Sequence, residues 1–228
     1  MPDHDQIYDK QANMYEQLIS KQDSLEGVIK EITQYRNLDV ADLGAGSGRL
    51  AEFMAAAARS LICTDDSSAM LSVLEEKFKG SKFNNWSTVV SDHRKLPIES
   101  STIDLAVSGW SLCYLASSNV PDWRTNLTSM MAEIHRILRP NGTIIILENF
   151  GTGSEEPNPP DFLKQYYRLL SEKYGFSHKW IRTDYTFDSV QEAVELTGFF
   201  FGDWLVEKVK QNNWSVVPEC AGVWWKHV

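Results

Sequence analysis

Residues 40–49, Val-Ala-Asp-Leu-Gly-Ala-Gly-Ser-Gly-Arg, form a short apolar run that is broken by three glycines at alternate positions. Glycine lets the backbone turn sharply and lets a ligand approach the main chain closely. A strand before such a turn and a helix after it place free N–H groups and the positive end of the helix beside a bound ligand. The segment therefore predicts a nucleotide-type binding turn, for which the alternative is a flexible turn with incidental glycines.

The spacing of these glycines separates three kinds of nucleotide site. A phosphate loop of the G-x-x-x-x-G-K-[ST] type is excluded because no Lys-Ser or Lys-Thr follows Gly48. A dinucleotide fingerprint has glycines at relative positions one, three and six, and here Arg49 holds the sixth position. With Asp42 two residues before Gly44, the D-x-G-x-G-x-G pattern resembles the first motif of the class I S-adenosylmethionine-dependent methyltransferases.

The composition describes an ordinary globular chain of 228 residues, 43% hydrophobic and 23% charged, with enough length for one domain and one core. The net charge of −9 disfavours nucleic acid as a partner, because phosphate backbones are bound mainly through Lys and Arg. The three cysteines are odd in number and far apart, so they suggest neither a disulfide framework nor a zinc site, and no other metal site is expected. The amino terminus lacks a secretory signal pattern and no apolar window is long enough to span a bilayer, so we expect a cytoplasmic protein outside the membrane.

Apolar runs that alternate with amphipathic segments predict an α/β protein. Buried strands are expected at 38–43, 60–65, 87–93, 102–112 and 143–148, and helices between them at 49–58, 69–78 and 126–138. The Leu-Arg-Pro-x-Gly-Thr run at 138–143 is a further trait of the methyltransferase family. The resemblance implies a doubly wound, mostly parallel seven-stranded sheet that ends in an antiparallel hairpin, which we assign to 199–204 and 220–225.

We expect residues 1–228 to form a single methyltransferase domain. Its parts are an N-terminal helical lid (1–36), a cofactor-binding core (37–150), a candidate substrate cap (151–187), and a final helix with the strand pair (188–228). The cap interrupts the repeating order of strands and helices, and it contains a predicted helical insertion at 161–174.

Asp65 ends the second predicted strand. One helical crossover brings this strand beside the first, so that both carboxyl ends face the same crevice. A carboxylate at that place can accept hydrogen bonds from both hydroxyls of a ribose. The alternative role, capping the next helix, suits Asp66 or Ser67 better.

The resemblance implies S-adenosylmethionine as the cofactor and S-adenosylhomocysteine as its product. In the family's third-strand motif an acidic residue meets the adenine amino group and the next residue packs on the ring; these places are Asp92 and His93, with a solvated loop position as the alternative for His93. The predicted cofactor-binding set is Asp42, Gly44, Ala45, Gly46, Gly48, Asp65, Asp66, Met70, Asp92, His93 and Ser108.

Methyl transfer from a sulfonium depends mainly on alignment, which contributes on the order of 7–11 kcal/mol in well-oriented pairs. A general base is needed only for an acceptor that keeps its proton; no residue is clearly that base, and His93 and Tyr114 are the candidates by type and position. The resemblance implies a small-molecule acceptor between aromatic side chains, for most of which core packing is the alternative. The predicted substrate contacts are Tyr8, Tyr15, Trp110, Tyr114 and Trp180.

Three other functions stay open at the level of sequence. A non-catalytic S-adenosylmethionine-binding regulatory module carries the same motifs as an enzyme. A methyltransferase acting on tRNA or protein differs only in its acceptor, and the acidic charge counts against RNA. A nicotinamide-dependent oxidoreductase is disfavoured by Arg49 at the place of the third glycine.

Overall fold

A computed structural model describes residues 3–228, in which helices alternate with strands around one large sheet. The helices are α1 (His4–Lys10), α2 (Ala12–Ile19), α3 (Glu26–Ile32), α4 (Ala51–Ala55), α5 (Ser68–Lys79), α6 (Cys113–Ala116), α7 (Trp123–Ile137), α8 (Asp161–Glu172), α9 (Val190–Phe201) and α10 (Asp203–Asn212). The strands are β1 (Asp39–Leu43), β2 (Ser60–Asp65), β3 (Trp86–Val90), β4 (Ile103–Gly109), β5 (Leu138–Thr152), β6 (Ser177–Arg182), β7 (Tyr185–Thr186), β8 (Val216–Val217) and β9 (Glu219–His227). Among the described residues, no helix is long and apolar enough to cross a membrane.

The large sheet has seven strands in the order β3-β2-β1-β4-β5-β9-β6. Strands β1 to β5 pair in parallel, and β9 lies antiparallel between β5 and β6. This confirms the predicted doubly wound, mostly parallel sheet with an antiparallel element at its end. The strand order reverses between β1 and β4, and ligands of open α/β sheets bind in the crevice at such a reversal.

Successive residues of the central strands face opposite layers, because side chains alternate across a strand. In β5, Ile144 belongs to the buried cluster that contains Met130 of α7, whereas Ile145 belongs to the cluster that contains Leu74 of α5. All four of these side chains are buried. Helices therefore cover both faces of the sheet, which explains the nearly continuous apolar runs of its strands.

The predicted strand at 199–204 is wrong, because these residues continue helix α9 and begin α10. Phe200 lies at helical spacing from Leu196 and Ala193, and all three are buried in one cluster. Ser189 caps the helix by accepting a bond from the Glu192 N–H, and Gly202, with φ +86°, ends it. A short apolar run does not distinguish a strand from a helix by periodicity, and here packing of one face decides for the helix.

The segment from 177 to 182 is also not part of a cap, since it forms β6 at the edge of the sheet. The predicted helix at 161–174 is confirmed as α8. Helices α1 and α2 pack with α9, β7 and β8 in a third buried cluster, which includes Ile7, Leu18, Tyr185 and Phe200. The first two helices and the segment from β7 to β8 thus share one core.

Candidate active site

The glycine turn after β1 requires glycine at its first position. Gly44 has φ +73°, and a Cβ atom there would lie 1.8 Å from Oγ of Ser111. The N–H groups of Gly44 and Ala45 both donate to the Thr64 carbonyl, at 2.7 and 2.9 Å. The expectation of free N–H groups at these two positions is therefore wrong: the turn uses them to fix its own conformation against the end of β2.

Asp65 anchors the same turn. Its Oδ2 accepts from the Gly46 N–H and its Oδ1 accepts from the Ser67 N–H, both at 2.9 Å. Burial raises the pKa of Asp65 to about 6, although these two backbone donors oppose the shift. Capping of α5 falls to Ser67, whose Oγ accepts from the Met70 N–H, as predicted. Each carboxylate oxygen of Asp65 therefore accepts one backbone N–H and retains a second lone pair.

Asp42 lies beneath the turn with only 1% of its surface exposed. Neither carboxylate oxygen has a partner at normal hydrogen-bond distance among the described residues. Burial, together with the charge of nearby Asp65, raises the pKa of Asp42 to about 7, and the nearby Ala51 N–H opposes this shift only in part. A buried carboxyl without a partner is costly, so its position favours a ligand that supplies a donor.

The loop after β3 brings His93 against the loop after β4. Nε2 of His93 lies 2.7 Å from Oγ of Ser111, while its Nδ1 has no partner in the described structure. Burial lowers the pKa of His93, so that the neutral imidazole is favoured. Asp92 is held by Arg94, whose backbone N–H donates to it at 2.7 Å and whose guanidinium lowers the pKa of this carboxyl.

These groups surround a cavity of about 400 Å³, here named the glycine cavity. Seven of the predicted cofactor residues line it: Gly44, Gly46, Asp65, Asp66, Met70, Asp92 and His93. A small adjoining cavity is lined by Asp42 and Ala45. Gly48 and Ser108 line neither; Gly48 packs closely on Leu74, and the buried Ser108 hydroxyl has no partner in the described structure.

A second and larger cavity of about 570 Å³, named the aromatic cavity, adjoins the first. Its aromatic walls are Tyr8, Tyr15, Trp110, Tyr114, Phe162, Tyr185, Phe200, Phe201 and Trp204. Four of the predicted substrate contacts, Tyr8, Tyr15, Trp110 and Tyr114, line both cavities. Trp180 lies outside them: it is on the edge strand β6, 45% exposed. The prediction that placed Trp180 at the site does not fit this position.

The tyrosines are joined by a directed chain of hydrogen bonds. His4 places Nε2 at 3.1 Å from the Phe200 carbonyl, which only accepts, so Nε2 carries the proton and Nδ1 accepts. Tyr114 then donates to Nδ1 at 3.2 Å, and the Tyr8 hydroxyl donates to Tyr114 at 2.6 Å. Burial raises the pKa of both phenols well above the ordinary value, so they stay protonated. Helix α1 is thereby tied to α6 across the two cavities.

Trp110 stands at the boundary of the cavities in a strained conformation. Its φ of +53° is left-handed, which is unusual for a bulky side chain and occurs mostly where function requires it. The Arg49 guanidinium lies 3.8 Å from the centroid of its ring. Sequence reasoning used Arg49 only to exclude a dinucleotide fingerprint, although its place directly after the glycines was the signal that it belongs to the site.

Glu219, at the start of β9, is a site residue that sequence reasoning missed. It is 2% exposed and lines the aromatic cavity, and its Oε1 accepts from Nδ2 of Asn149 at 3.3 Å. Its Oε2 has no partner in the described structure. Burial raises the pKa of Glu219 to about 8. Nothing in the local sequence distinguishes this residue, since only the pairing of β9 with β5 brings it to the cavity.

The chain is similar to known proteins in both sequence and structure. Residues 41–146 match the model of the family described as Methyltransferase domain. An uncharacterized methyltransferase of Schizosaccharomyces pombe is 28% identical over 116 residues, which cover 50% of this chain and 40% of that protein. A demethylmenaquinone methyltransferase of Staphylococcus haemolyticus is 36% identical over 151 residues, covering 59% of this chain and 56% of that protein.

Among solved structures, the phosphoethanolamine N-methyltransferase 2 of Haemonchus contortus, in complex with phosphomonomethylethanolamine and S-adenosylhomocysteine, superposes with a TM-score of 0.64. The identity is 16%, and the match covers 99% of this chain and 58% of that one. This likeness concerns the fold. The chain spans about half the length, or less, of the first curated relatives that it matches.

Proposed function

We propose that the chain is a class I S-adenosylmethionine-dependent methyltransferase, since residues 41–146 match the model of the methyltransferase-domain family, and that it transfers a methyl group from S-adenosylmethionine to a small-molecule acceptor. The observation that carries the proposal is the pair of adjoining cavities, one lined by the glycine turn and its acids and the other by aromatic side chains. They share Tyr8, Tyr15, Trp110 and Tyr114. A donor and an acceptor in these two cavities are neighbours, as direct transfer requires.

The residues of the glycine cavity fit the cofactor chemically. Gly44 and Gly46 leave a bare backbone where a side chain would collide with Ser111 or press on Met70. Asp65 ends β2 beside this backbone, and we assign it to the ribose hydroxyls. Asp42, buried with neither oxygen partnered in the described structure, suits the amino group of the methionine part.

The adenine end of the cavity has a different composition. Asp66, Met70, Asp92 and His93 line it and offer one thioether, one neutral imidazole and two carboxylates. We assign Asp92 to the adenine amino group, which donates, and Met70 and His93 to the faces of the ring. Because Arg94 already holds Asp92, that carboxylate is positioned before any ligand arrives.

Bound S-adenosylmethionine supplies a methyl group that is activated by a positively charged sulfur. The chain's own contribution is to align the two partners and to exclude water. We propose that α1 and α2 act as a lid, because the bond between Tyr8 and Tyr114 closes the shared wall from the N-terminal side. His93, a candidate base by type, lines the glycine cavity and not the aromatic cavity, so we assign it to the adenine ring rather than to proton removal from the acceptor.

Small acceptors suit the aromatic cavity better than a macromolecule. Its volume of about 570 Å³ lies within the range of sites for small ligands. The Staphylococcus and Haemonchus proteins are also named for small acceptors, demethylmenaquinone and phosphoethanolamine. We further propose the cytoplasm as the compartment, because Cys63, Cys113 and Cys220 are free thiols, as reducing compartments maintain.

The first test is titration calorimetry of the purified protein with S-adenosylmethionine, S-adenosylhomocysteine and, as controls, NAD⁺ and NADH. We expect micromolar binding of the first two and none of the dinucleotides. Asp65→Ala removes a charged acceptor of two ribose bonds, so it should weaken binding by about 3 kcal/mol, or roughly 150-fold. Asp23→Ala, at an exposed position between α2 and α3, is the matched control and should bind as the wild type does.

Catalysis needs a separate measurement, since a regulatory module binds the same cofactor. Formation of S-adenosylhomocysteine is followed with a panel of small hydroxy, amino and carboxylic acids as acceptors. Product with one of them supports the enzyme. Tight cofactor binding without turnover on any small molecule would favour the regulatory module, and binding of the dinucleotides instead would refute the assignment of the glycine cavity.

A further inference from the structure

The aromatic cavity contains two cationic side chains whose charge no described carboxylate balances. Arg49 and Lys208 both line it, and neither has a described carboxylate oxygen within 4.0 Å. Nη2 of Arg49 is buried without a partner in the described structure, and Nζ of Lys208 donates only to the Gly153 carbonyl, at 3.3 Å. Arginine stays charged when buried, so the cavity holds positive charge.

Glu219 does not cancel this charge at neutral pH. It is the one carboxylic acid among the described residues that line the cavity. Burial raises its pKa to about 8, although the Thr152 hydroxyl and the charge of Arg49 oppose the shift, so the neutral acid is favoured at pH 7. A neutral carboxyl has one O–H donor, and Oε2 of Glu219 has no partner in the described structure.

The positive charge is local and not a property of the whole protein. The chain carries 31 acidic and 22 basic residues, for a net charge of −9. An anion is therefore repelled by the protein at long range, and only specific groups inside the cavity favour it. In a protein with a net negative charge, two cations without carboxylate partners make this cavity a place where an anionic ligand is favoured.

The rest of the cavity sets the shape of its ligand. Tyr15, Trp110, Tyr185 and Phe200 present rings, and rings favour flat conjugated ligands through stacked and edge-to-face contacts. The polar groups concentrate where β5 ends and β9 begins: Asn149 donates to Thr152 at 2.6 Å as well as to Glu219. The cavity thus combines an apolar body with a polar region and two cationic side chains.

We propose that the methyl acceptor is a planar conjugated acid, whose ring lies among the aromatic side chains and whose anionic group pairs with Lys208 and Arg49. Glu219 donates a hydrogen bond to an oxygen of the same molecule. The inference rests on the proposed methyltransferase function and specifies its substrate class. Lys208 and Glu219 line only the aromatic cavity, so they distinguish acceptor recognition from cofactor binding.

The test uses three compounds with one ring system and different charge: 2-naphthoate, 2-naphthamide and 2-(aminomethyl)naphthalene. Each is titrated by calorimetry into the full chain saturated with S-adenosylhomocysteine. Any contact between Arg49 and the bound S-adenosylhomocysteine is then the same in all three titrations. We expect 2-naphthoate to bind about tenfold more tightly than the amide, the low end of what a charged hydrogen bond contributes, and the amine to bind most weakly. Equal binding of acid and amide, tightest binding of the amine, or no binding of any of them at millimolar concentration would overturn the proposal.

Two variants identify the groups responsible. Lys208→Met should weaken 2-naphthoate about tenfold and leave the amide within twofold, whereas Lys210→Met, exposed on the same helix, should change neither. Glu219→Gln keeps a donor and should leave 2-naphthoate binding within threefold; a tenfold gain would show that Glu219 is charged and would refute the charge balance. An unchanged affinity for S-adenosylhomocysteine shows that a variant is folded. If the wild type does not bind S-adenosylhomocysteine, the methyltransferase function itself is refuted. If it binds S-adenosylhomocysteine but the naphthoate series fails, only the acceptor proposal is refuted.

Discussion

Gly44→Ala tests the geometry of the glycine turn, and the chain offers a matched control at Gly175. Both glycines have φ +73°, so alanine pays the same left-handed penalty of about 1–2 kcal/mol at each position. A lower entropy of the unfolded chain offsets about 0.4–1 kcal/mol of it in both variants. The surroundings differ: a Cβ at Gly175 meets nothing within 4 Å, whereas at Gly44 it lies 1.8 Å from Oγ and 2.3 Å from Cβ of Ser111.

The difference between the two variants therefore measures the collision alone. Overpacking of this kind costs about 1–3 kcal/mol, which gives about 2–4 kcal/mol of destabilisation for Gly44→Ala and about 1 kcal/mol for Gly175→Ala. Urea unfolding with equal m values measures both free energies. We also expect Gly44→Ala to lose at least tenfold in affinity for S-adenosylhomocysteine, because displacing Ser111 disturbs its 2.7 Å contact with His93.

A double-mutant cycle with Ser111→Gly separates the collision from other effects. This substitution removes the two atoms that the new methyl group would overlap and leaves only Cε1 of His93, at 3.3 Å, so the double variant should recover about 1–3 kcal/mol relative to the sum of the single changes. Equal destabilisation at Gly44 and Gly175, or a coupling energy near zero, would show that Ser111 does not lie against the turn. In that case the assignment of the glycine cavity loses its main geometric support.

Tyr8→Phe removes the hydrogen bond to Tyr114 and should destabilise the closed position of α1 by about 1 kcal/mol. The amides of α1 should then exchange hydrogen about fivefold faster, and unchanged exchange would mean that this bond does not hold the lid. Burial raises the pKa of Glu148 to about 7, so between about pH 4.5 and pH 7 the folded protein keeps a proton that the unfolded chain releases. The free energy of unfolding therefore falls as the pH rises through this range. Glu148→Gln removes this loss and should gain up to roughly 3 kcal/mol over the wild type between pH 5 and pH 8 in urea unfolding, whereas parallel pH curves would refute the burial argument. Trp180→Ala should leave the affinities for 2-naphthoate and S-adenosylhomocysteine within twofold, because the ring lies on β6 outside both cavities, and a tenfold loss would return it to the site.

Elements that are buried on both faces were predictable from the sequence, since their pattern follows from local physics. Strand β2 begins and ends where its apolar run does, at 60–65, and α5 starts after the predicted cap Ser67. Strand β6 was not predictable in the same way. As an edge strand it pairs only with β9, and all six of its residues are exposed or half-buried, so its sequence lacks an apolar run.

The cofactor half of the site was also predictable from the sequence. Its residues lie on or directly after consecutive strands, and the topology of parallel strands brings the ends of these strands together. The acceptor half depends on elements distant in sequence. Glu219 reaches the cavity because β9 pairs with β5 in a register that sets it opposite Thr152. Lys208 reaches it because α10 follows α9 after the turn at Gly202, and a strand at 199–204 would have left Lys208 in a connecting loop. The wrong assignment of 199–204 and the failure to place Lys208 at the site are therefore one error: Phe200, Phe201 and Lys208 come to the same cavity only if both segments are helical.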